Sequence, residues 1–284
     1  MAKWIRNFWR SLHVPEDVAG TKQTNRQEET MVNHRLGEID VSNLPRVVGT
    51  ISCHSSLPLS YSVSPRRDFI CDIVEVRLDE VGTNVPNWLQ NCQSLEGEGF
   101  PTILTIRQPD DGGKWTGGDE ARESMFSDAL DNLSTIDIEC GSKLVDDLCA
   151  SAESQGKSLI ISYHNFQKTP ELQEMQGIVS EILSHPCAIP KIAAMVTDDK
   201  DIRTLRSLLE ENSHKPLCVI GMGASGTSTR TAFPHMGSCL TYGYLDRSSA
   251  PGQMACAELV HHLRRVLPKY NEDLITRKEL LEFA

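Results

Sequence analysis

What most restricts this chain is a rhythm. From Pro45 onward short β-rich runs recur, at Val47–Ser52, Asp72–Leu78, Thr102–Arg107, Ile136–Cys140, Leu159–Tyr163, Ala188–Met195, Cys218–Gly221 and Ser238–Tyr242. Between most of them lie segments with helical character, such as Asp119–Leu133, Lys143–Gln155, Pro170–Leu183 and Lys200–Glu211. Strands alternating with helices build parallel sheets through right-handed crossovers, and this number of strands predicts an α/β fold closed as a (β/α)8 TIM barrel. A chain of 284 residues is long enough for one such barrel. The alternative is an open, doubly wound sheet, and one motif speaks for it. Gly221-Met-Gly223-Ala-Ser-Gly226 follows a strand, and Asp246 lies about twenty residues on, as a dinucleotide fingerprint asks. That fingerprint also needs a long helix opened by the loop, whereas Pro234 and Gly237 leave room only for short turns. No cofactor is expected there.

Charge and cysteines narrow the function classes. A formal net charge of −11 argues against a nucleic-acid backbone as partner, since phosphate binding needs a basic face. A small anionic substrate is still admissible, because local arginines outweigh a distant acidic surface. The nine cysteines form no C-x-x-C pair, so they read as reduced, mostly buried thiols, and no metal is expected. Met1–Val18 carries Lys3, Arg6 and Arg10 among apolar residues without a continuous apolar stretch, and no later segment is long enough to cross a bilayer. The expectation is a cytoplasmic protein without membrane contact. Trp4, Ile5, Phe8, Trp9 and Leu12 share one side of a terminal helix, and Thr21–Glu29 reads as a flexible linker. Residues 1–30 are accordingly an extension and residues 31–284 the barrel domain.

The polar residues that interrupt the strands are the informative ones. Side chains alternate along a strand, so Val74, Val76 and Leu78 oppose Glu75 and Arg77, while Leu104 and Ile106 oppose Thr105 and Arg107. Likewise Ile136 and Ile138 oppose Asp137 and Glu139, and Leu159, Ile161 and Tyr163 oppose Ser162 and His164. With the apolar face on the helices, the charges point into the barrel. A single such pair reads as a structural ion pair, but four strands repeating the pattern favour an active site at the C-terminal strand ends. Lys191 is a candidate amine nucleophile on the lumen side, and His164 at the end of the preceding strand is the titratable partner that imine chemistry needs. Arg230, in a Gly/Ser/Thr-rich loop, and Ser249-Ala-Pro-Gly-Gln253, after the last strand, suit a carboxylate.

Taken together these motifs resemble type I 3-dehydroquinate dehydratase. The resemblance rests on Ile-Val-Glu75-Val-Arg77-Leu-Asp, Thr-Ile-Arg107 followed by Asp-Gly-Gly, Ser-Tyr-His164-Asn-Phe with Thr-Pro, Pro-Lys191-Ile-Ala, Met-Gly through Arg230, and Leu-Thr-Tyr-Gly with Ser249-Ala-Pro-Gly-Gln253. It runs from about Pro45 to about Gln253, with the motifs in the family's order. It implies a homodimeric barrel of the shikimate pathway that turns 3-dehydroquinate into 3-dehydroshikimate and water without metal or cofactor. Lys191 then corresponds to the imine-forming lysine and His164 to the general acid/base. Glu75, Arg77 and Arg107 correspond to residues on substrate hydroxyls, Arg230, Ser249 and Gln253 to contacts at the carboxylate end and lid, and Thr50 to a Ser or Thr at the end of the first strand. Asp111 stands where the family usually has a glutamate thought to orient the histidine, one methylene shorter. Met31–Leu44 corresponds to a hairpin closing the barrel floor. Two other readings stay open at this level, a class I aldolase sharing barrel and lysine and a non-catalytic carboxylate-binding barrel.

Overall fold

The computed structural model describes residues 34–53, 70–82, 87–248 and 251–282. The chain divides into two units, Met1–Val32 and Asn33–Ala284, and every described residue belongs to the second. The terminal helix and linker expected before Met31 lie outside the described residues.

A two-stranded antiparallel hairpin, β1 (Arg35–Leu36) and β2 (Ile39–Asp40), comes first. Eight parallel strands follow: β3 (Arg46–Ile51), β4 (Ile73–Arg77), β5 (Thr102–Thr105), β6 (Thr135–Glu139), β7 (Leu159–Asn165), β8 (Ala188–Met195), β9 (Cys218–Met222) and β10 (Leu240–Tyr244). They are ordered β10-β3-β4-β5-β6-β7-β8-β9, and β10 pairs in parallel with β3, so the sheet curls back on itself. The seam between β9 and β10 has no full ladder. There Cys239 N–H donates to the Leu217 carbonyl (3.0 Å) and the Ser238 hydroxyl accepts from Val219 N–H (3.0 Å), nearly completing the barrel. The open sheet is excluded, as is the long helix a dinucleotide loop requires. After β9 come only short turns at Ala224–Gly226, Thr229–Ala232 and Phe233–Met236. Gly226 is there for packing, since a Cβ would sit 2.5 Å from the Gly221 carbonyl.

The outer wall comprises the helices α1 (Trp88–Gly97), α2 (Asp119–Asn132), α3 (Val145–Ser154), α4 (Leu172–Ile182), α5 (Asp199–Glu211), α6 (Cys256–Val266) and α7 (Pro268–Glu282). Strand alternation sorts the residues as the sequence implies. Val47, Val74, Val76, Leu104, Ile136, Ile138 and Ile161 pack outward in the core under the helices. Val48, Ile73, Ile103, Ile160, Ile189, Cys218 and Leu240 form a separate apolar layer inside, joined by Leu36, Ile39 and Val41 of the hairpin region. The hairpin thus plugs one end of the lumen. Above that layer the interior turns polar on seven of the eight strands, through Thr50, Glu75, Thr105, Asp137, Ser162, Lys191 and Tyr242, while β9 continues with the apolar Ile220. The strand register brings them together.

Candidate active site

Lys191 lies at the centre of this polar layer. It is 5% exposed, and its Nζ donates to Asp137 Oδ2 at 2.7 Å with Glu75 Oε1 at 3.8 Å. Asp137 is fully buried and accepts also from Arg107 Nη2 and the Ser162 hydroxyl, both at 2.6 Å. Burial alone would raise the Asp137 carboxyl. The adjacent Arg107 and Lys191 outweigh burial and hold it far below the usual carboxylate range. Glu75 is held by two hydroxyls, Thr50 Oγ1 at 2.8 Å and Thr105 Oγ1 at 2.9 Å. A buried carboxylate with its lone pairs occupied has a fixed direction, and here that direction is toward the amine.

His164 is two residues beyond Ser162 on β7, and Ser162 is in register with Lys191 on β8. The half-buried ring stacks on Phe166 with centroids 6.0 Å apart, and its Nδ1 is shielded without a hydrogen-bond partner. Burial first, then the Arg107 and Lys191 cations, push the imidazole well below its ordinary value. The ring is therefore neutral at physiological pH, the state a general base must have.

The remaining sequence-predicted residues divide into those the fold brings to this centre and those it does not. Thr50, Glu75 and Arg107 belong to it directly. Arg107 is heavily engaged, pairing with Glu139 at 3.5 Å as well as with Asp137, and donating to Ser162 at 2.7 Å. Glu139 in turn pairs with the fully buried Arg122 of α2, whose Nε donates to the Ile106 carbonyl at 2.9 Å. Arg77 is held by Asp79 through two bonds of 3.0 and 2.9 Å, with Glu80 at 3.4 Å, and its cation lies near enough to Glu75, Arg107 and His164 to act on their charges. Asp111 lies half-buried in the Pro109–Asp111 turn, and its carboxyl is raised by burial and by Glu139. It makes no hydrogen bond to His164, whose Nδ1 has none. The turn passes tightly over the site: a Cβ on Gly113 would meet the Arg107 carbonyl at 2.0 Å, and one on Gly112 the Phe166 ring at 2.5 Å.

Arg230 stands apart from the carboxylates. Its Nε donates to the Gly252 carbonyl at 3.0 Å and its Nη1 to the Tyr242 carbonyl at 2.7 Å, and no ion pair neutralises it among the described residues. Burial lowers its pKa to about 10, still cationic at neutral pH. A buried guanidinium held only by carbonyls is a receptor for an anion. Gln253 follows Gly252 in the same loop, and Ser249 lies outside the described residues.

Sequence reasoning put Asp137, Thr105 and Ser162 on the lumen face without making them part of the site. Asp137 to Lys191 spans two strands, and no local pattern encodes that pairing. Tyr242 was read only as part of a motif, yet its ring lies under the Lys191 amine, 4.1 Å from Nζ to centroid.

Comparison with known proteins gives a consistent result. Residues 64–267 match the family model described as type I 3-dehydroquinase. The 3-dehydroquinate dehydratase of Methanocella arvoryzae is 35% identical over 193 residues, covering 68% of this chain and 86% of that protein. That of Methanosarcina barkeri is 32% identical over 235 residues, covering 79% and 96% respectively. The crystal structure of the Aquifex aeolicus 3-dehydroquinate dehydratase superposes with a TM-score of 0.67 at 29% identity, covering 79% of this chain and 99% of that one. The sequence motifs, the barrel and these matches agree, and the chain belongs to the type I 3-dehydroquinase family.

Proposed function

We propose that this barrel dehydrates 3-dehydroquinate through an imine on Lys191, with His164 as the proton carrier. The hydro-lyase class and the place in the shikimate pathway follow from the family. The aldolase and non-catalytic readings give way to it. The observation that carries the imine reading is a buried lysine amine in the lumen, one strand away from a histidine that burial keeps neutral.

The chemistry then assigns each group a task. The Lys191 ammonium passes a proton to the neutral His164, and the amine so freed adds to the C3 ketone. The carbinolamine loses its hydroxyl as water by taking that proton back, which leaves a protonated iminium and a neutral His164. The resulting iminium draws electron density from C2 and acidifies its proton. His164 removes that proton, leaving an enamine. The enamine expels the C1 hydroxyl, which departs as water with the proton His164 carries. A second water hydrolyses the conjugated iminium, releasing 3-dehydroshikimate and returning Lys191 to its ammonium form beside Asp137. The water lost on forming the imine is regained in its hydrolysis, so the net change is loss of one water. Arg230 suits the substrate carboxylate, Gln253 and Ser249 the lid above it, and Thr50, Glu75, Arg77 and Arg107 the hydroxyl side. Asp137 supplies the counter-charge beside the nitrogen. Fixing the ring in this way supplies several kcal/mol of orientation, on the order of what well-placed intramolecular reactions gain.

A cytoplasmic homodimer with no nucleic-acid or membrane partner completes the proposal. The net charge of −11 supports the exclusion of nucleic acid, and no described helix is long and apolar enough to cross a membrane. Sedimentation equilibrium tests the dimer. Borohydride reduction in the presence of 3-dehydroquinate, followed by peptide mass mapping, tests the imine. The expected result is the added mass on the peptide containing Lys191. A label on another lysine, or none while turnover continues, rejects the assignment.

A further inference from the structure

Tyr242 is 6% exposed, on the lumen face of β10, and two features of its setting separate its ring from its hydroxyl. The hydroxyl oxygen is buried and has no hydrogen-bond partner. The face of the ring is engaged, since the Nζ of Lys191 sits 4.1 Å from the ring centroid. Burial, and after it the Glu75 charge, raise the phenol well above its ordinary value, so the ring stays neutral with the electron-rich face of any phenol. Tyr242 belongs to the same interior apolar cluster as Val48, Ala193, Ile220 and Leu240, and the Lys191 side chain over it is only 5% exposed. A cation on an aromatic face is attracted most strongly when desolvated.

The nitrogen of Lys191 changes its bonding during the reaction proposed above. An ammonium has three N–H donors to share between Asp137 and Glu75, and a protonated imine has one. Attraction to a π face needs no N–H, so it persists when the hydrogen bonds are reduced. We propose that Tyr242 is a catalytic residue of this barrel, its ring face carrying the positive charge of the Lys191 nitrogen through imine formation. This rests on the imine reading.

The test compares Tyr242→Leu with Tyr242→Phe. The readout is the fraction of the Lys191 peptide carrying reduced adduct after borohydride quenching at saturating 3-dehydroquinate, with thermal melts to confirm folding. Tyr242→Leu is expected to lower the trapped fraction relative to free amine by about 5- to 30-fold, the range of a desolvated cation–π contact. Tyr242→Phe keeps the face and recovers most of that loss. Should the leucine variant not fold, pentafluorophenylalanine at position 242 replaces it, since it keeps the shape and removes the negative face. The same loss relative to Tyr242→Phe is expected. Leucine trapping as well as wild type, or phenylalanine falling as far as leucine, overturns the proposal. Absence of any adduct on Lys191 in the wild type rejects the imine reading itself, a result distinguishable from either.

Discussion

At the scale of single residues, the site solves a charge problem before it performs any chemistry. Lys191 and Arg107 are two cations buried in a lumen, and isolated they would be unfavourable by several kcal/mol each. Asp137 bridges both, and Glu139 takes the outer side of Arg107. His164 is held neutral first by its burial and then by those cations, and its Nδ1 has no hydrogen-bond partner among the described residues. Its depressed pKa gives a pH signature. The acidic limb of kcat/KM is expected below the ordinary histidine value of 6.5, because the base stays unprotonated until the pH falls further. His164→Ala should lower turnover by roughly 10²–10⁴-fold, the scale of a lost general acid/base. A variant with near-normal turnover removes His164 from the mechanism. Arg230 has two carbonyl partners and no counter-ion among the described residues, so its geometry matters as much as its charge. Arg230→Lys offers one point charge in place of parallel donors. Steady-state kinetics should show KM raised on the order of ten-fold or more, the scale of a lost charge-assisted hydrogen bond, with turnover lowered too. If wild type handles an analogue lacking the carboxylate as well as 3-dehydroquinate, no carboxylate is read at Arg230.

At the scale of elements, alternation along a strand is what made so much legible. Each barrel strand buries one apolar face against the helices, so the odd polar residues on the other face declare the lumen without knowledge of the fold. That is why Glu75, Arg107, His164 and Lys191 were readable. Arg77 belongs to the same face, but its partner Asp79 lies in the Leu78–Val81 turn, where alternation gives way. The helix α7 was not read at all, and its packing face shows why. Tyr270, Asp273, Leu274 and Arg277 follow i, i+3, i+4, i+7 spacing, yet two of the four are charged and no hydrophobic period emerges. The face docks through Asp72, whose Oδ2 accepts from Val47 N–H at 2.7 Å and from Tyr270 Oη–H at 2.8 Å, and whose Oδ1 pairs with Arg277. Arg46, buried at the start of β3, pairs with Asp273. In urea unfolding, Asp72→Asn is expected to destabilise by about 2 kcal/mol, because the half-buried Arg277 loses one of its carboxylates while keeping Asp273, and the Val47 N–H loses its charged acceptor. Tyr270→Phe should lose only about 1 kcal/mol, one neutral-to-charged donor. If both variants unfold with wild-type midpoints, α7 is not anchored through Asp72.

For the whole molecule, the protonation states assembled by the fold set how it responds to acid. His34, His164, His235 and His262 all titrate below 6.5, with burial the largest cause in each. For such groups the unfolded chain binds protons more readily than the folded one between the folded value and 6.5, so stability is full above 6.5 and declines as the pH falls through that window. Asp137 and Asp273 work further down. Both are depressed although burial opposes it, Asp137 chiefly by Arg107 and Lys191 and Asp273 by Arg46 and Arg277. Their contribution is present above 3.8 and is lost only as the pH drops below it. A third influence runs the other way, since acidification from neutral pH reduces the net charge of −11 and the self-repulsion that goes with it. A wild-type melting curve alone mixes these influences. Comparison with His164→Asn separates them, because the variant has the same carboxylates and nearly the same net charge while lacking one buried imidazole. Between pH 8 and 5 the Tm of the variant is expected to fall less steeply than that of the wild type, with the two curves diverging below about 6.5. Parallel curves across that range would mean that His164 is as easily protonated in the folded barrel as in the unfolded chain. The neutral imidazole assigned to catalysis would then have to be supplied by the bound substrate rather than by the fold.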